Sequence, residues 1–157
     1  MGRIVVKAKL WNFADEIKAR EGLIEPEEIR LTEVDALIDT GATMLSLPGE
    51  IVNELGLLPG RPVKVSYADG RVEERGVAYG VKIEIMGREA ETYALVEENG
   101  RQVLVGQVVL ETLDLIPDPK RGILRPRPES PDMPMVEAYQ GCLHFCQKGK
   151  AQKLLED

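Results

Sequence analysis

The chain has 157 residues, 43% of them hydrophobic, with 20 basic against 27 acidic side chains and a net charge of -7. That length suits a single domain able to bury its own core, and the acidic balance leaves no basic footprint for nucleic acid or an anionic membrane surface. No apolar run approaches the roughly 18 residues of a membrane span, and the opening MGRIVVKAKL alternates apolar with basic residues instead of forming a signal-peptide block, so a cytoplasmic protein is expected.

Taken in chain order, RIVVKAKL has the period-two pattern of a strand, with Trp11 and Phe13 behind it as core or interface packing. The mixed charge run over residues 15–28 predicts a solvated helix or loop insert, and EIRLTEVDALI returns to strand alternation. PGEIVNELGL spaces Ile51, Val52, Leu55 and Leu58 for a short helix. RPVKVSY and RVEERGVAYGVKIEIMG flank YADGRV, where Asp69-Gly70 predicts a tight two-residue hairpin turn. AETYALVE and RQVLVG are the last strands of the series, with ENGR at residues 98–101 expected as a second hairpin turn between them. GQVVLETLDL, with Val109, Leu110 and Leu113, predicts another short helix. A mostly antiparallel sheet follows from the two turns.

Six of the ten prolines fall at Pro117 or later, which predicts an extended linker over residues 119–132. The apolar MPMVEAY, residues 133–139, is expected as a separate strand, and residues 140–157 as a poorly ordered tail. That tail holds the only cysteines, Cys142 and Cys146, and the only histidine, His144. No disulfide framework crosses the core, and CLHFC lacks the second ligand pair of a zinc site, so no metal is expected.

The stretch VDALIDTGATMLSLP carries Asp39 between two apolar runs. A lone carboxylate at a core-facing strand end is costly, so Asp39 is either a turn residue that accepts backbone N–H groups or a group placed for chemistry. Apolar strand followed by Asp-x-Gly-x-Thr is also similar to the first phosphate loop of actin-like ATPases, but that fold needs a second such loop and more chain.

ALIDTGAT, the YADGRV hairpin, LVGQVVLETLDL and MPMVEAY, in that order, resemble the retropepsin-like aspartic proteases, the single-lobe family that includes viral proteases. The resemblance covers the Asp-Thr-Gly loop, the hairpin flap, the apolar-apolar-Gly strand leading to a helix, and the C-terminal dimer strand. It implies an all-β, closed-barrel half-lobe with one or two short helices over residues 1–118, working as a homodimer without a cofactor. Asp39 from each subunit would be catalytic, hydrolysing a polypeptide with an activated water. Thr40 would hold the paired loops together, Gly41 would bring its N–H to the carboxylate, and Ala42 would support the loop without the hydroxyl of pepsin-like lobes, which implies an only mildly acidic optimum. Thr43 and the flap tip, Tyr67, Ala68, Asp69 and Gly70, would grip substrate. Thr43 replaces the aspartate of several viral relatives, and Gln107 and Val108 replace a bracing Arg and Asp or Asn. The reading from another class is a non-catalytic dimerisation or peptide-binding module on this fold.

Overall fold

A computed structural model describes residues 2–138 of the chain. Its frame is a closed six-stranded barrel. The strands are β1 (Val5–Asn12), β2 (Leu31–Ile38), β3 (Leu45–Pro48), β7 (Val77–Ile85), β8 (Arg88–Glu97) and β9 (Val103–Val105), hydrogen-bonded in the order β1-β2-β9-β3-β8-β7 and closed by β1 against β7. A short strand β4 (Leu58–Pro59) pairs with Ala78 and Tyr79 of β7, on the side away from β8. Two hairpins stand apart from the barrel: β5 (Val63–Ser66) with β6 (Val72–Arg75), and β10 (Leu115–Asp118) with β11 (Ile123–Pro126). Closure removes the open sheet edges that would otherwise recruit other chains. No helix among the described residues is long and apolar enough to cross a membrane.

Period-two patterning explains the barrel wall. Along β7, Val81, Ile83 and Ile85 are buried while Lys82 and Glu84 between them are not, and along β3 Leu45 and Leu47 are fully buried. These side chains join Leu10, Ala36, Ala94 and Val105 in one core, onto which α3 (Gln107–Leu113) adds Val109, Leu110 and Leu113. The rhythm of β7 breaks between Ala78 and Val81, where the ladder with β8 shifts register and Gly80 takes φ of 73°. A β-bulge of this kind bends the strand, and it falls between Ala78–Tyr79, which pair with β4, and Val81–Glu84, which pair with β1.

The short helices are where the spacing predicts them. α2 (Gly49–Leu55) ends on Gly56 in the left-handed region, and α3 ends on Asp114, also left-handed with φ of 55°. The charge run contains helix α1 (Phe13–Arg20), which is not wholly solvated. Asn12 caps it by accepting from the Asp15 amide, and Asp15 is buried in a two-bond ion pair with Arg30, at 2.8 and 2.9 Å. Arg30 holds the Asp15 carboxyl below the usual carboxylate range, and the pair ties the insert to the start of β2. Trp11 is buried core, and its ring, with that of Phe13, lies under the Lys82 ammonium.

Three expectations need correction. The YADGRV turn is a hairpin, but its loop has three residues. Tyr67 N–H donates to Arg71 O at 2.8 Å and Gly70 N–H to Tyr67 O at 3.0 Å, with Gly70 at φ of 85°. Type I turn followed by a left-handed glycine is the alternative that Asp-Gly also satisfies. Residues 98–101 do not close a hairpin: β3 lies between β8 and β9, parallel to β8 and antiparallel to β9. Together with the parallel pairing of β2 and β9, this makes a mixed barrel, still mostly antiparallel. The proline-rich segment is not a free linker, because residues 123–126 form β11 and Leu124 is buried in the core. Pro117 in β10 and Pro126 in β11 remove N–H groups that no third strand would use.

Residues 133–138 form no strand within the single chain. Tyr139 and the tail over residues 140–157, with His144, Cys142 and Cys146, lie outside the described residues.

Candidate active site

β2 delivers Asp39 to a loop that β9 and α3 hold in place. The Asp39 amide donates to Val105 O at 3.0 Å, and the Gly41 and Ala42 amides return to Asp39, to Oδ1 at 3.0 Å and to the backbone O at 3.1 Å. Asp39 thus forms the side-chain turn that a structural role would need. Yet only Oδ1 is used: Oδ2 accepts no hydrogen bond among the described residues, and the half-buried carboxylate lines a cleft of about 670 Å³. A Cβ at Gly41 would lie 3.2 Å from Oδ1, so the carboxylate would have to shift by a few tenths of an ångström to admit it.

The far side of the loop is held by backbone alone. Gln107 N–H donates to Ala42 O at 2.8 Å and Val108 N–H to Thr43 O at 3.0 Å, so loop carbonyls satisfy the first free amides of α3. The Gln107 side chain turns away to Glu111, and Val108 is exposed. The charged bracing absent from positions 107 and 108 is therefore replaced by two main-chain bonds. They require Gly106, whose backbone passes so close to the loop that a Cβ would stand 2.5 Å from Met44 O.

A second brace lies behind α3. Arg88, buried at the start of β8, donates to Leu113 O at 3.1 Å, to Asp114 O at 2.9 Å and to Ser130 O. The buried Asp114 carboxylate accepts from the Ser130 hydroxyl and from the Met135 amide at 2.9 Å, with Arg127 at 2.8 Å. Ser130, the Met135 amide, Arg127 and Arg88 hold the Asp114 carboxyl below the usual carboxylate range. This cluster docks residues 127–135 on the barrel, beyond residue 118, where the sequence suggests the core ends.

The β5–β6 hairpin forms the opposite wall of the cleft. Val63 and Val65 are the half-buried positions of β5, Lys64 and Ser66 also line the cleft, and Tyr67 and Ala68 reach it from the tip. Arg75 bonds the Tyr67 hydroxyl at 2.9 Å and pairs with Glu97 of β8 at 3.7 Å, which links hairpin to barrel. Of the residues singled out from sequence, Asp39, Gly41, Ala42, Thr43, Tyr67 and Ala68 come together around this cleft. Thr40 is exposed beside it, with no side-chain hydrogen bond among the described residues. Asp69 and Gly70 sit outside, where Asp69 pairs with Arg71 at 2.6 Å. Sequence reasoning missed Ser46, Tyr93, Leu95 and Leu104, which make the barrel side of the cleft, and no local pattern marks them. Among the described residues no cluster of three or more His, Cys, Asp or Glu is placed to hold a metal ion.

Residues 28–112, more than half of the chain, match the family described as gag-polyprotein putative aspartyl protease. No curated protein matches the chain.

Proposed function

The chain belongs to this retropepsin-like aspartyl protease family, and on that premise we propose that it is an aspartic endopeptidase, active as a homodimer in the cytoplasm and built on two Asp39 carboxylates, one from each subunit. The observation that carries the reading is the half-buried Asp39 carboxylate, one oxygen fixed by Gly41 N–H and the other open to a cleft under a hairpin. Thr40, exposed at the edge of the loop, is available to the second copy. Two-fold symmetry would bring the paired loops face to face, and residues 133–139 would add the dimer strand.

One carboxylate takes a proton from water as that water attacks the scissile carbonyl, while the protonated partner hydrogen-bonds the carbonyl oxygen. Collapse of the tetrahedral intermediate breaks the C–N bond, and the leaving amine takes the proton gained by the first carboxylate. A pair that holds one proton between its two carboxylates starts each cycle in the state the reaction needs. Gly41 N–H fixes the carboxylate, Ala42 and Thr43 fix the loop, and Tyr67 and Ala68 close over the polypeptide.

The test is cleavage of a mixed peptide library between about pH 3 and pH 8 by wild type and Asp39→Asn, with dimerisation followed by sedimentation. Wild type should cleave, best at mildly acidic pH, and Asp39→Asn should remain dimeric without cleaving. Equal cleavage by both would rule out the carboxylate pair. Cleavage by neither, from an intact dimer, would favour the peptide-binding module.

A further inference from the structure

One side chain in the cleft has no structural use. On β3, Leu45 and Leu47 enter the barrel core, so strand alternation turns Ser46 to the opposite face. The register sets Ser46 beside Leu95 of β8 and Leu104 of β9. These three, with Met44, form the cleft wall that faces Val65 of the hairpin. Ser46 keeps only 6% of its exposure, and its hydroxyl makes no hydrogen bond among the described residues. Its oxygen is not fully buried and opens onto the cleft, at a strand position that valine or isoleucine would fill as well. A group entering the cleft would supply the missing partner.

We propose that Ser46 is a specificity-determining residue, selecting at one position beside the scissile bond a substrate side chain with an uncharged hydrogen-bonding group, a hydroxyl or a carboxamide. The assignment rests on the protease reading for the peptide nature of the ligand. The charges that line the cleft disfavour the ionic choices. Glu97, further along the same face of β8, is already paired with Arg75, which leaves it less to offer a cationic side chain. An anionic side chain would meet Asp39 and Glu97 against a single cation of the lining, Lys64 on the exposed face of β5. The barrel residues immediately around Ser46 (Met44, Leu95 and Leu104) are apolar, so one hydrogen bond on that surface discriminates by what an unmade bond costs.

The experiment uses fluorescent octapeptide libraries in which each position in turn is fixed as Thr, Asn, Val or Lys. Binding is measured by anisotropy to full-length Asp39→Asn protein, with Ser46 retained or changed to Val. At one position Thr and Asn should bind about tenfold more tightly than Val with Ser46 present, and Ser46→Val should abolish or reverse that order. Thermal melting of Ser46→Val should match the parent, since the face carries no bond to lose. An order that is the same in both proteins, a preference for Lys, or no binding at any position overturns the assignment. Cleavage of the same libraries by protein retaining Asp39 keeps the two readings apart. A Ser46-dependent binding order without cleavage upholds Ser46 and refutes the protease, whereas cleavage with an unaltered order refutes Ser46 alone.

Discussion

Gly106→Ala tests how the Asp39 loop is held. At φ -89° and ψ -179° Gly106 is extended, a backbone that alanine adopts freely, so loss of chain entropy alone would make the alanine variant more stable by about 0.4–1 kcal/mol. Packing has the opposite sign. The new Cβ would lie 2.5 Å from Met44 O, 2.6 Å from the Thr43 carbonyl carbon and 2.7 Å from Ala42 O, and ordinary contact begins near 3.4 Å, so loop and strand must part by about 0.9 Å. All three neighbours are backbone atoms and none can rotate away. The same movement stretches the bonds from Gln107 and Val108 to the loop carbonyls, now 2.8 and 3.0 Å. With about 1 kcal/mol for each bond and about 1–3 kcal/mol for overpacking, the variant should lose a net 2–4 kcal/mol or so. Urea unfolding should show the midpoint falling by about 1–2 M at an unchanged slope. Peptide cleavage should fall by about 100-fold even well below the unfolding midpoint, because the carboxylate moves with its loop. An alanine variant as stable as the parent, or more stable, would refute the contact and with it the main-chain bracing of the site.

Arg88→Met should lower stability by about 3–5 kcal/mol in chemical unfolding, because three buried carbonyls and the Asp114 carboxylate lose their cation, and Arg88→Lys should restore only part of it. Asp114→Asn keeps the left-handed backbone that asparagine tolerates and removes only the charge. The folded carboxyl of Asp114 is depressed, so its stabilisation is fully present above the unfolded value and is lost as pH falls through the folded one. The stability gap between parent and Asp114→Asn should therefore shrink as unfolding is measured from about pH 7 down to about pH 2, and a constant gap would refute the linkage. Asp39→Asn should unfold as the parent does, since the amide oxygen can still accept from Gly41 N–H, while cleavage disappears.

Sequence alone was enough for whatever is encoded in neighbouring residues. Alternation marked the strands because each barrel wall has one apolar face, and the spacing of Ile51, Val52 and Leu55 or of Val109, Leu110 and Leu113 marked α2 and α3. Asp39-Thr40-Gly41 was legible because a turn that fixes a carboxylate with its own amide is a three-residue event. Tertiary structure decided everything that depends on which strands meet. ENGR looks the same whether the next strand returns beside β8 or passes to the far side of β3, and only the insertion of β3 makes it the latter. Arg88 and Asp114 are 26 positions apart, and their pairing follows from barrel closure setting the start of β8 against the end of α3. Period two says that Ser46 and Leu45 face opposite ways, but not which of them meets the core. That was settled when the barrel closed around the leucines and left the hydroxyl in the cleft.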